Sequence, residues 1–437
     1  MIIKISNEVQ YIIETLQKSG YEAYIVGGCV RDRILGKEPK DWDICTPALP
    51  EQTMKCFAEY HIIETGLQHG TVTLMLNHIP FEITTYRIDG QYSDNRRPDK
   101  VEFVSSLKAD LSRRDFTINA MAYNSNKGIV DFFGGMDDLN TGIIRCVGDA
   151  GQRFREDALR IMRALRFASV LSFSIDEDTS KAMLDNKNLL KNIAVERIAS
   201  EINRMITGNG VSNILLKYWP VITEIIPEIA PMNGFEQNNS YHCHDVLHHS
   251  LFSIDHAPKN IVIRLAMLFH PQVSSDMAKA ILLRLKYDND TIKDVTELVF
   301  YHDANIQPDI KHVKRWLNKI GEEKLRQLIE VKKADAMAQS VYYQKEKLGT
   351  LDKISDVLNE IIEQQQCFSL KDLAVNGKDL LAVGFEEGVE IGAALNRLIE
   401  MVIDEQVEND KHELLRIAEK LCLDNWSTVL KCISEEE

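Results

Sequence analysis

Glycine and proline are scarce in this chain, with 22 and 11 residues among 437. This scarcity, together with 44% hydrophobic and 27% charged residues, excludes collagen-like, low-complexity and largely disordered proteins. Apolar runs near the ~20 residues needed to cross a bilayer are also lacking, so no membrane partner is expected. The opening segment MIIKISNEVQ carries charges where a secretory signal needs its apolar stretch. We therefore expect a cytoplasmic protein.

Paired cysteines are absent as well. The eight cysteines are scattered and none forms a C-x-x-C pair. This distribution argues against both a disulfide scaffold and a zinc ribbon, so reduced thiols are expected. The length of the chain predicts about two to four folded units.

Basic residues are outnumbered by acidic ones, giving a formal net charge of −15. An acidic chain at first sight disfavours a nucleic-acid partner, because phosphate binding draws on Lys and Arg. The charge is unevenly distributed, since residues 388–437 hold 5 basic and 12 acidic residues whereas residues 145–167 hold six Arg and three acidic residues. A local basic strip can bind phosphates on an acidic protein, so the net charge leaves this partner open.

Short apolar runs separated by turn residues extend from Tyr21 to about Asn124, and long helical periodicity follows from Asp149 onward. The runs AYIV, WDIC, TVTLML, FEITTYR and VEFV are typical of strands. The pattern predicts an α+β fold, in which an N-terminal head with a small mixed β-sheet and helices precedes an all-α neck, body and tail. We place the head at 1–124, the neck at 125–210, the body at 211–330 and the tail at 331–437.

The first motif combines a glycine pair with two aspartates. The glycines of Gly27–Asp32 permit a tight turn whose N–H groups can approach a phosphate, with Arg31 just beyond it. Asp41 and Asp43 are two apart, a spacing that places both on one face of a strand. Close carboxylates repel unless a cation lies between them, and oxygen ligands suit Mg²⁺. A structural turn and a solvated D-x-D are the plain alternatives, but their joint occurrence favours metal-assisted phosphoryl or nucleotidyl transfer.

This combination resembles the nucleotidyltransferase superfamily that includes DNA polymerase β, and within it the class II tRNA nucleotidyltransferases (CCA-adding enzymes) and bacterial poly(A) polymerases. The resemblance implies that Asp41 and Asp43 bind the metal and that Gly28 and Arg31 contact the nucleotide phosphates. It also suggests Glu82, in the strand-like FEITTYR, as a third catalytic acid beside the metals. The alternative for Glu82 is a solvent-facing strand residue.

The second motif is SRRDFTINA, from Ser112 to Ala120. Two adjacent arginines can bind a triphosphate, and an aspartate can accept from a ribose hydroxyl. The alternative is that Asp115 caps a helix. The family resemblance implies triphosphate contacts at Arg114 and Arg113, with Asp115 and Asn119 near the sugar.

The third motif lies in Arg153–Phe167, where a helical pattern places Asp157 and Arg160 on one helix face. An intrahelical ion pair is the plain alternative. Cytosine and adenine both offer an amino donor beside a ring-nitrogen acceptor, whereas uracil and guanine offer a carbonyl beside an N–H donor. An Asp acceptor next to an Arg donor therefore complements C and A, which predicts selection of CTP and ATP. The resemblance adds nucleotide contacts at Arg163 and Arg166.

A fourth cluster, between His242 and His249, holds four histidines and one aspartate within eight residues. It has ligand-like spacing for a helix and resembles the start of an HD phosphohydrolase domain. An HD site needs a His-Asp pair downstream, where this chain has His270 followed by Pro271. We therefore expect a helical scaffold, with Asp303 as a contributor to metal-dependent hydrolysis in the alternative interpretation.

Three further segments resemble parts of the same family. The polar loop of residues 86–99 favours CCA or A addition over CC addition alone, and residues 131–148 match a linker between head and neck. The glycine-rich segment 375–388 resembles a C-terminal arm, whose helix starts hold either RNA phosphates or ordinary caps.

The resemblance extends over essentially the whole chain. It implies addition of CCA to the 3′ end of tRNA from CTP and ATP, without a nucleic-acid template and with release of pyrophosphate. The cofactor is then Mg²⁺ and the partner the tRNA acceptor arm, recognised by shape. An A-adding or poly(A) polymerase, an HD-type phosphohydrolase and a non-catalytic RNA-binding protein remain as alternatives.

Overall fold

The computed structural model describes residues 2–90, 101–235, 245–270 and 273–423. These residues form two compact units. The first comprises the residues up to Pro231 together with Ala280–Asp288, and the second comprises Met232–Lys279 together with the residues from Asn289 onward. None of the helices in the described ranges is both long and apolar enough to span a bilayer.

A seven-stranded mixed sheet forms the centre of the first unit. The strands of this unit are β1 (Tyr24–Val26), β2 (Asp43–Thr46), β3 (His61–Ile63), β4 (Thr71–Leu76), β5 (Ile79–Thr85), β6 (Arg87–Asp89), β7 (Val101–Phe103), β8 (Met121–Asn124), β9 (Gly128–Asp131), β10 (Ile143–Ile144) and β11 (Ser174–Ile175). The sheet order is β3-β4-β5-β2-β1-β8-β9, and only β2 and β5 are parallel neighbours in it. Buried and half-buried residues alternate along β4, as expected for a strand with one face on the core.

Eleven helices accompany these strands in the described part of the first unit. They are α1 (Asn7–Lys18), α2 (Gly28–Ile34), α3 (Pro50–Cys56), α4 (Leu107–Ser112), α5 (Gly135–Thr141), α6 (Ala150–Glu156), α7 (Leu159–Leu171), α8 (Glu177–Asn186), α9 (Val195–Ile206), α10 (Val211–Lys217) and α11 (Trp219–Ile225). Side-chain caps define several helix starts; Asp149, for example, accepts from the backbone N–H of Gln152 at the start of α6.

The described chain after Met232 is helical. Its helices are α12 (Val246–His256), α13 (Ile261–Phe269), α14 (Ser275–Arg284), α15 (Asn289–Tyr301), α16 (Ile310–Ile320), α17 (Glu322–Met337), α18 (Val341–Glu363), α19 (Gly377–Val383), α20 (Val389–Ile403) and α21 (Lys411–Leu423). The end of α14, from Ala280 onward, belongs to the first unit. Helix α17 packs against α12, α13 and α18. The predicted α+β fold with a helical remainder is confirmed, whereas the four boundaries proposed from the sequence stay a prediction.

The glycine-rich segment 375–388 contains α19 with an ordinary cap. The side chain of Asn376 accepts from the backbone N–H groups of Lys378 and Asp379, and the Asp379 carboxylate accepts from the backbone N–H of Asn376. These reciprocal bonds form a capping box. Three N–H groups at this helix start are therefore already satisfied within the protein.

Candidate active site

Three predicted acids lie close together at the sheet. Asp43 is the first residue of β2, and Glu82 stands directly opposite it on the parallel strand β5. Neighbouring residues in register project to the same face of a sheet, so these two carboxylates share a face. Asp41 lies in a bend two residues before β2 and is exposed. The prediction that Asp41 and Asp43 lie on one face of a strand is therefore wrong for Asp41, which lies in the bend before β2.

The electrostatics of these acids reflect their crowding. Burial raises the pKa of the Asp43 carboxyl, while the Arg114 guanidinium opposes this shift and the charge of Asp41 adds to it. The pKa of Glu82 is likewise raised, first by partial desolvation and then by the charges of Asp43 and Asp41, although Glu82 is exposed. The three carboxylates therefore destabilise one another when ionised. A cation placed among them would relieve this repulsion.

The donor chemistry of this acidic group fits a divalent cation. Carboxylate oxygens are the ligands that Mg²⁺ uses in proteins. The carboxylates of Asp41, Asp43 and Glu82 are not gathered as three ligand atoms within 4.8 Å of one another. The three acids therefore fit a divalent cation by the chemistry of their donor atoms.

Glycine at position 27 lets an arginine approach the turn after β1. Gly27 has φ = +81°, a region that favours glycine, and it precedes the first residue of α2, Gly28. A Cβ atom added to Gly27 would lie 2.7 Å from Nη1 of Arg114. The Nε of Arg114 is buried without a hydrogen-bond partner. An unpaired buried donor of positive charge beside a glycine turn fits an anion such as a phosphate.

Arg113 is oriented differently from Arg114. Its Nε donates to Oδ1 of Asp110 at 3.0 Å, whereas Nη2 of Arg114 is 3.8 Å from Oδ2 of the same carboxylate. Arg113 thus has a direct carboxylate partner inside the protein. Of the two arginines in the motif, Arg114 is the better placed for a triphosphate.

A chain of hydrogen bonds joins α2 to α7 through the second motif. Nη1 of Arg31 donates to Oδ1 of Asn119, and Nδ2 of Asn119 donates to Oδ1 of Asp115 at 3.1 Å. Nε of Arg163 donates to the other oxygen of Asp115 at 2.7 Å. Asp115 precedes a short 3₁₀ turn, Thr117–Asn119, whose N-cap residue is Phe116. The helix-cap alternative for Asp115 is therefore wrong, and its carboxylate links two arginine-bearing helices instead.

Asp115 is held in its ionised form. Burial alone would raise its pKa, but the charge of Arg163 and the hydrogen bond from Asn119 outweigh burial and lower the pKa below its usual range. The residue is 8% exposed. The Asp115–Arg163 pair is consequently an element of the folding stability of the first unit.

We expect Asp115→Asn to lower the free energy of unfolding by about 2–3 kcal/mol at pH 7. Removing one partner of a buried pair costs about 3–5 kcal/mol, and the one-third exposure of the Arg163 side chain reduces this. The pKa of Asp115 is lower in the folded protein than in the unfolded chain, where it is near 4. Its ionised form therefore stabilises the fold above about pH 4, and this contribution is lost as the pH falls through the folded-state pKa. The difference from wild type in urea titrations should therefore be constant from pH 7 to about 5 and shrink below about pH 4. The exposed Asp137→Asn serves as control, and an equal loss in both variants would contradict the assignment.

The predicted base-selecting helix is interrupted. Helix α6 ends at Glu156, Asp157 is extended with φ = −136° and ψ = 103°, and α7 begins at Leu159. Oδ1 of Asp157 accepts from the backbone N–H of Leu159 at 3.1 Å. Asp disfavours helix interiors because its side chain competes for such amides. Asp157 and Arg160 therefore do not share one helix face, and the expectation that they do is wrong.

Asp157 and Arg160 also have separate partners. Oδ2 of Asp157 accepts from Arg197 at 3.2 Å. Nη1 of Arg160 donates to Glu156 at 2.8 Å and its Nη2 donates to the carbonyl of Arg113 at 3.0 Å. The alternative of an Asp157–Arg160 ion pair is thus also wrong. Arg160 instead joins the start of α7 to the arginine motif.

Phe167 on α7 was not singled out by the sequence, yet three guanidinium groups surround its ring. The Cζ atoms of Arg166, Arg31 and Arg163 lie 4.1, 5.0 and 5.4 Å from the ring centroid. Attraction between cations and the ring face partly offsets the repulsion among these arginines. The sequence did offer a signal, because Phe167 directly follows an arginine. Helical periodicity alone, however, assigns this phenylalanine to the core.

Helix α9 contributes two further residues that the sequence analysis missed. Arg197 binds Asp157, and Oε2 of Glu201 lies 2.9 Å from Nε of Arg166. Burial lowers the pKa of Arg166 to about 10, although Glu201 opposes this shift. Arg197 and Glu201 are four residues apart, so the sequence indicates that they share one face of a helix. It does not indicate which residues of α7 they contact.

The predicted loop 86–99 lies partly outside the described residues, which omit 91–100. On either side of that gap, β6 and β7 pair antiparallel. The role assigned to this loop stays a prediction. In the linker segment, Asp131 accepts from the backbone N–H groups of Phe133, Gly135 and Met136 and so fixes the turn before α5.

Three protein-family models match the chain: the Poly A polymerase head domain over residues 23–145, the Probable RNA and SrmB-binding site of polymerase A over residues 172–231, and tRNA nucleotidyltransferase domain 2 over residues 257–418. A CCA-adding enzyme of Lactobacillus delbrueckii subsp. bulgaricus is 34% identical over 415 residues, which cover 94% of this chain and 96% of the relative. One of Levilactobacillus brevis is 35% identical over 407 residues, covering 92% and 95%. The crystal structure of the Bacillus stearothermophilus CCA-adding enzyme in complex with CTP is 29% identical, with a TM-score of 0.73 and coverage of 96% and 98%.

Proposed function

The chain belongs to the family of CCA-adding enzymes, and on this basis we propose that it adds C, C and A to the 3′ end of tRNA from CTP and ATP. The family is one of nucleotidyltransferases that depend on a divalent metal, and we propose Mg²⁺ as the ion. The observation that carries the proposal is the position of Asp43 beside Glu82, close to the turn where Arg114 meets Gly27. We infer a cytoplasmic site of action, where tRNA, CTP and ATP are found together.

The proposed reaction is attack of the tRNA 3′ hydroxyl on the α-phosphorus, which forms a phosphodiester and releases pyrophosphate. Asp41 and Asp43, with Glu82 beside them, would hold the divalent ion, and when bound Mg²⁺ activates the hydroxyl and neutralises the departing charge. Arg114 would contact the triphosphate with its guanidinium, whose Nη1 lies beside the glycine turn. Its charge is in place before the reaction, so it stabilises the developing negative charge without reorganisation.

Arg31, Asp115, Asn119 and Arg163 have a positioning role in this proposal. Each binds another member of the chain that joins α2 to α7, so the glycine turn is connected to the helix that begins beside Asp157. Gly28 lets the backbone approach the phosphates, while Arg113 and Arg166 add positive charge nearby. The sugar contacts predicted for Asp115 and Asn119 stay a prediction.

Base selection is proposed for Asp157 and Arg160. The Asp157 carboxylate offers about four acceptor positions, and the contacts with Leu159 and Arg197 use two of them. Arg160 has five N–H donors, so its bonds to Glu156 and to backbone carbonyls leave others for a ring nitrogen. The amino group of cytosine or adenine can donate to Asp157, and a ring nitrogen can accept from Arg160.

Nucleotide addition to a tRNA lacking CCA tests the function. With CTP and ATP together we expect three nucleotides and then arrest, with CTP alone two, and with ATP alone no extension. A long tail from ATP would indicate a poly(A) polymerase instead. Extension of tRNA ending in CC but not of tRNA lacking all three nucleotides would indicate an A-adding enzyme, and no extension of any substrate would favour a phosphohydrolase or RNA-binding protein.

We expect Gly27→Ala to raise the KM for CTP about tenfold or more. The added Cβ would lie 2.7 Å from Nη1 of Arg114 and would displace that guanidinium from the turn. Gly20→Ala is a matched control, because Gly20 has a similar φ of +89° but nothing within 4 Å of the added atom. Both variants should lose about 1 kcal/mol of stability through the positive φ. Equal KM values in the two variants would argue against Arg114 as a triphosphate contact.

A further inference from the structure

Two histidines and one aspartate converge in the second unit. His249 lies on α12, His270 directly follows α13 and Asp335 lies on α17. Nε2 of His249 is 2.7 Å and Nε2 of His270 is 3.3 Å from the same oxygen, Oδ1 of Asp335. Within the described ranges, no other three His, Cys, Asp or Glu side chains bring ligand atoms within 4.8 Å of one another.

Burial separates this group from an ordinary surface cluster. His249 is 0% and His270 4% exposed, and the Asp335 side chain is 23% exposed. Buried polar groups cost free energy unless they are paired or bind a metal. Three separate helical segments supply the donors, so the convergence is a property of the packed unit and not of one helix.

Both ring nitrogens of His249 face oxygen atoms. Nδ1 is 3.3 Å from the carbonyl oxygen of Ala338, and Nε2 is 2.7 Å from Oδ1 of Asp335. A neutral imidazole has only one N–H donor. The ring can therefore donate to only one of the two oxygens, and a cation between Nε2 and Oδ1 would satisfy the tautomer in which Nδ1 donates to the carbonyl. Metal-binding histidines commonly donate their other N–H to a backbone carbonyl, as Nδ1 is placed to do here.

Asp335 is also oriented as a metal ligand would be. Oδ2 of Asp335 accepts from Nε2 of Gln339 at 2.7 Å, and Oε1 of Gln339 accepts from Lys347 at 2.6 Å. These bonds fix one carboxylate oxygen and leave Oδ1 directed at the two imidazoles. Carboxylates that bind metals are typically hydrogen-bonded through their second oxygen in this way.

A pocket adjoins this group. Its volume is about 650 Å³, and Asp335, Gln339, Lys332, Lys347 and His302 are among its lining residues. The pocket gives water or a small anion access to the carboxylate side of the three donors. A site with three protein ligands beside such a space keeps a coordination position open.

We propose that His249, His270 and Asp335 bind one divalent transition-metal ion, of which Zn²⁺ and Co²⁺ are the representative probes. Two imidazole nitrogens and one carboxylate oxygen suit these ions, whereas Mg²⁺ and Ca²⁺ prefer oxygen alone. Bonds of about 2.1 Å in a tetrahedron place ligand atoms about 3.4 Å apart. The His270–Asp335 distance already matches this spacing, and the His249–Asp335 distance needs to open by about 0.7 Å. The site differs in ligand class from Asp41, Asp43 and Glu82.

This assignment changes the interpretation of the histidine-rich segment. Residues 236–244 lie outside the described part of the chain, and Asp245 caps α12 by accepting from the backbone N–H of His248. Among the described residues of the predicted histidine cluster, His249 alone enters the group. Asp303 contacts His302 at 3.0 Å and is not one of the three donors.

The test uses the full-length protein, stripped of metal and then supplied with Co²⁺ in the presence of excess Mg²⁺. We expect about one Co²⁺ per chain, with the intense visible absorption of a four- or five-coordinate ion bound by nitrogen. His249→Gln, His270→Gln and Asp335→Asn should each reduce this absorption at least tenfold. His256→Gln, an exposed residue of the same helix α12, should retain it. In a thermal melt, Zn²⁺ should raise the Tm of the wild type and of the control, but not of the three variants.

The wild type alone can overturn the proposal. A weak octahedral spectrum, or no Co²⁺ retained under excess Mg²⁺, would mean that the three residues form only a hydrogen-bonded cluster. Equal absorption in Asp335→Asn and wild type would place the ion elsewhere. CCA addition by each variant shows that its chain is folded, so a lost signal is not attributed to unfolding.

Discussion

Asp43→Asn should lower the rate of CCA addition at least 1,000-fold, which corresponds to about 4 kcal/mol of transition-state stabilisation. The substitution keeps the size of the side chain but removes one negative charge from the acidic group opposite Glu82. In the proposed reaction, that charge would help to hold a divalent ion against the triphosphate. Single-turnover addition of CMP to tRNA lacking CCA, at several Mg²⁺ concentrations, measures the effect.

A measurement of stability distinguishes this loss of activity from misfolding. Because the pKa of Asp43 is raised in the folded protein, its ionised form is unfavourable there at neutral pH. Asp43→Asn should therefore be at least as stable as the wild type in a thermal melt. The exposed Asp137→Asn should keep full activity. A rate within tenfold of wild type for Asp43→Asn would remove this residue from the proposed metal site.

Asp157→Ala should reduce the preference for CTP over UTP about 100-fold or more. A site that hydrogen-bonds its substrate rejects analogues strongly, because wrong partners leave buried polar groups unpaired. Without the carboxylate, an amino donor on the base gains no partner and a carbonyl meets no repulsion. The ratio of kcat/KM for CTP and UTP on the same tRNA measures this preference.

The control for base selection is Asp185→Ala, which removes an exposed carboxylate from α8. It should keep the parent preference. Asp157→Ala also frees Arg197, so the KM for both nucleotides can rise, but the ratio between them reports selection alone. An unchanged ratio in Asp157→Ala would show that other residues read the base.

The helical remainder and five of the strands (β1, β2, β4, β5 and β7) were predictable because each follows from local periodicity. The segment TVTLML alternates, and it forms β4 with alternating burial. The break at Asp157 was not predicted, because Arg153–Phe167 was interpreted as one continuous helical pattern. The apolar period of this segment begins only at Leu159, where α7 starts. An aspartate two residues before that start is a helix-start signal, and it could have placed the boundary.

The hydrogen-bond partners of the site residues could not be predicted from the sequence. Asp115 binds Arg163 and Arg31 binds Asn119 through packing of helices far apart in the chain. Motif spacing identifies residue types suited to a triphosphate, but it cannot state which of them pair with one another. The same limit applies to Asp335, which lies in no motif and meets His249 only in the packed unit.

The hydrogen-bonded chain between α2 and α7 has a consequence for the order of events during synthesis. Arg31 and Asn119 are 88 residues apart, and Asp115 and Arg163 are 48 apart. Until α7 leaves the ribosome, the nascent strands can pair, but Asp115 has no guanidinium from Arg163 to offset its burial. The N-terminal sheet region therefore gains its full stability only after a later helix is synthesised. A chain released before residue 163 lacks the ion pair between Asp115 and Arg163.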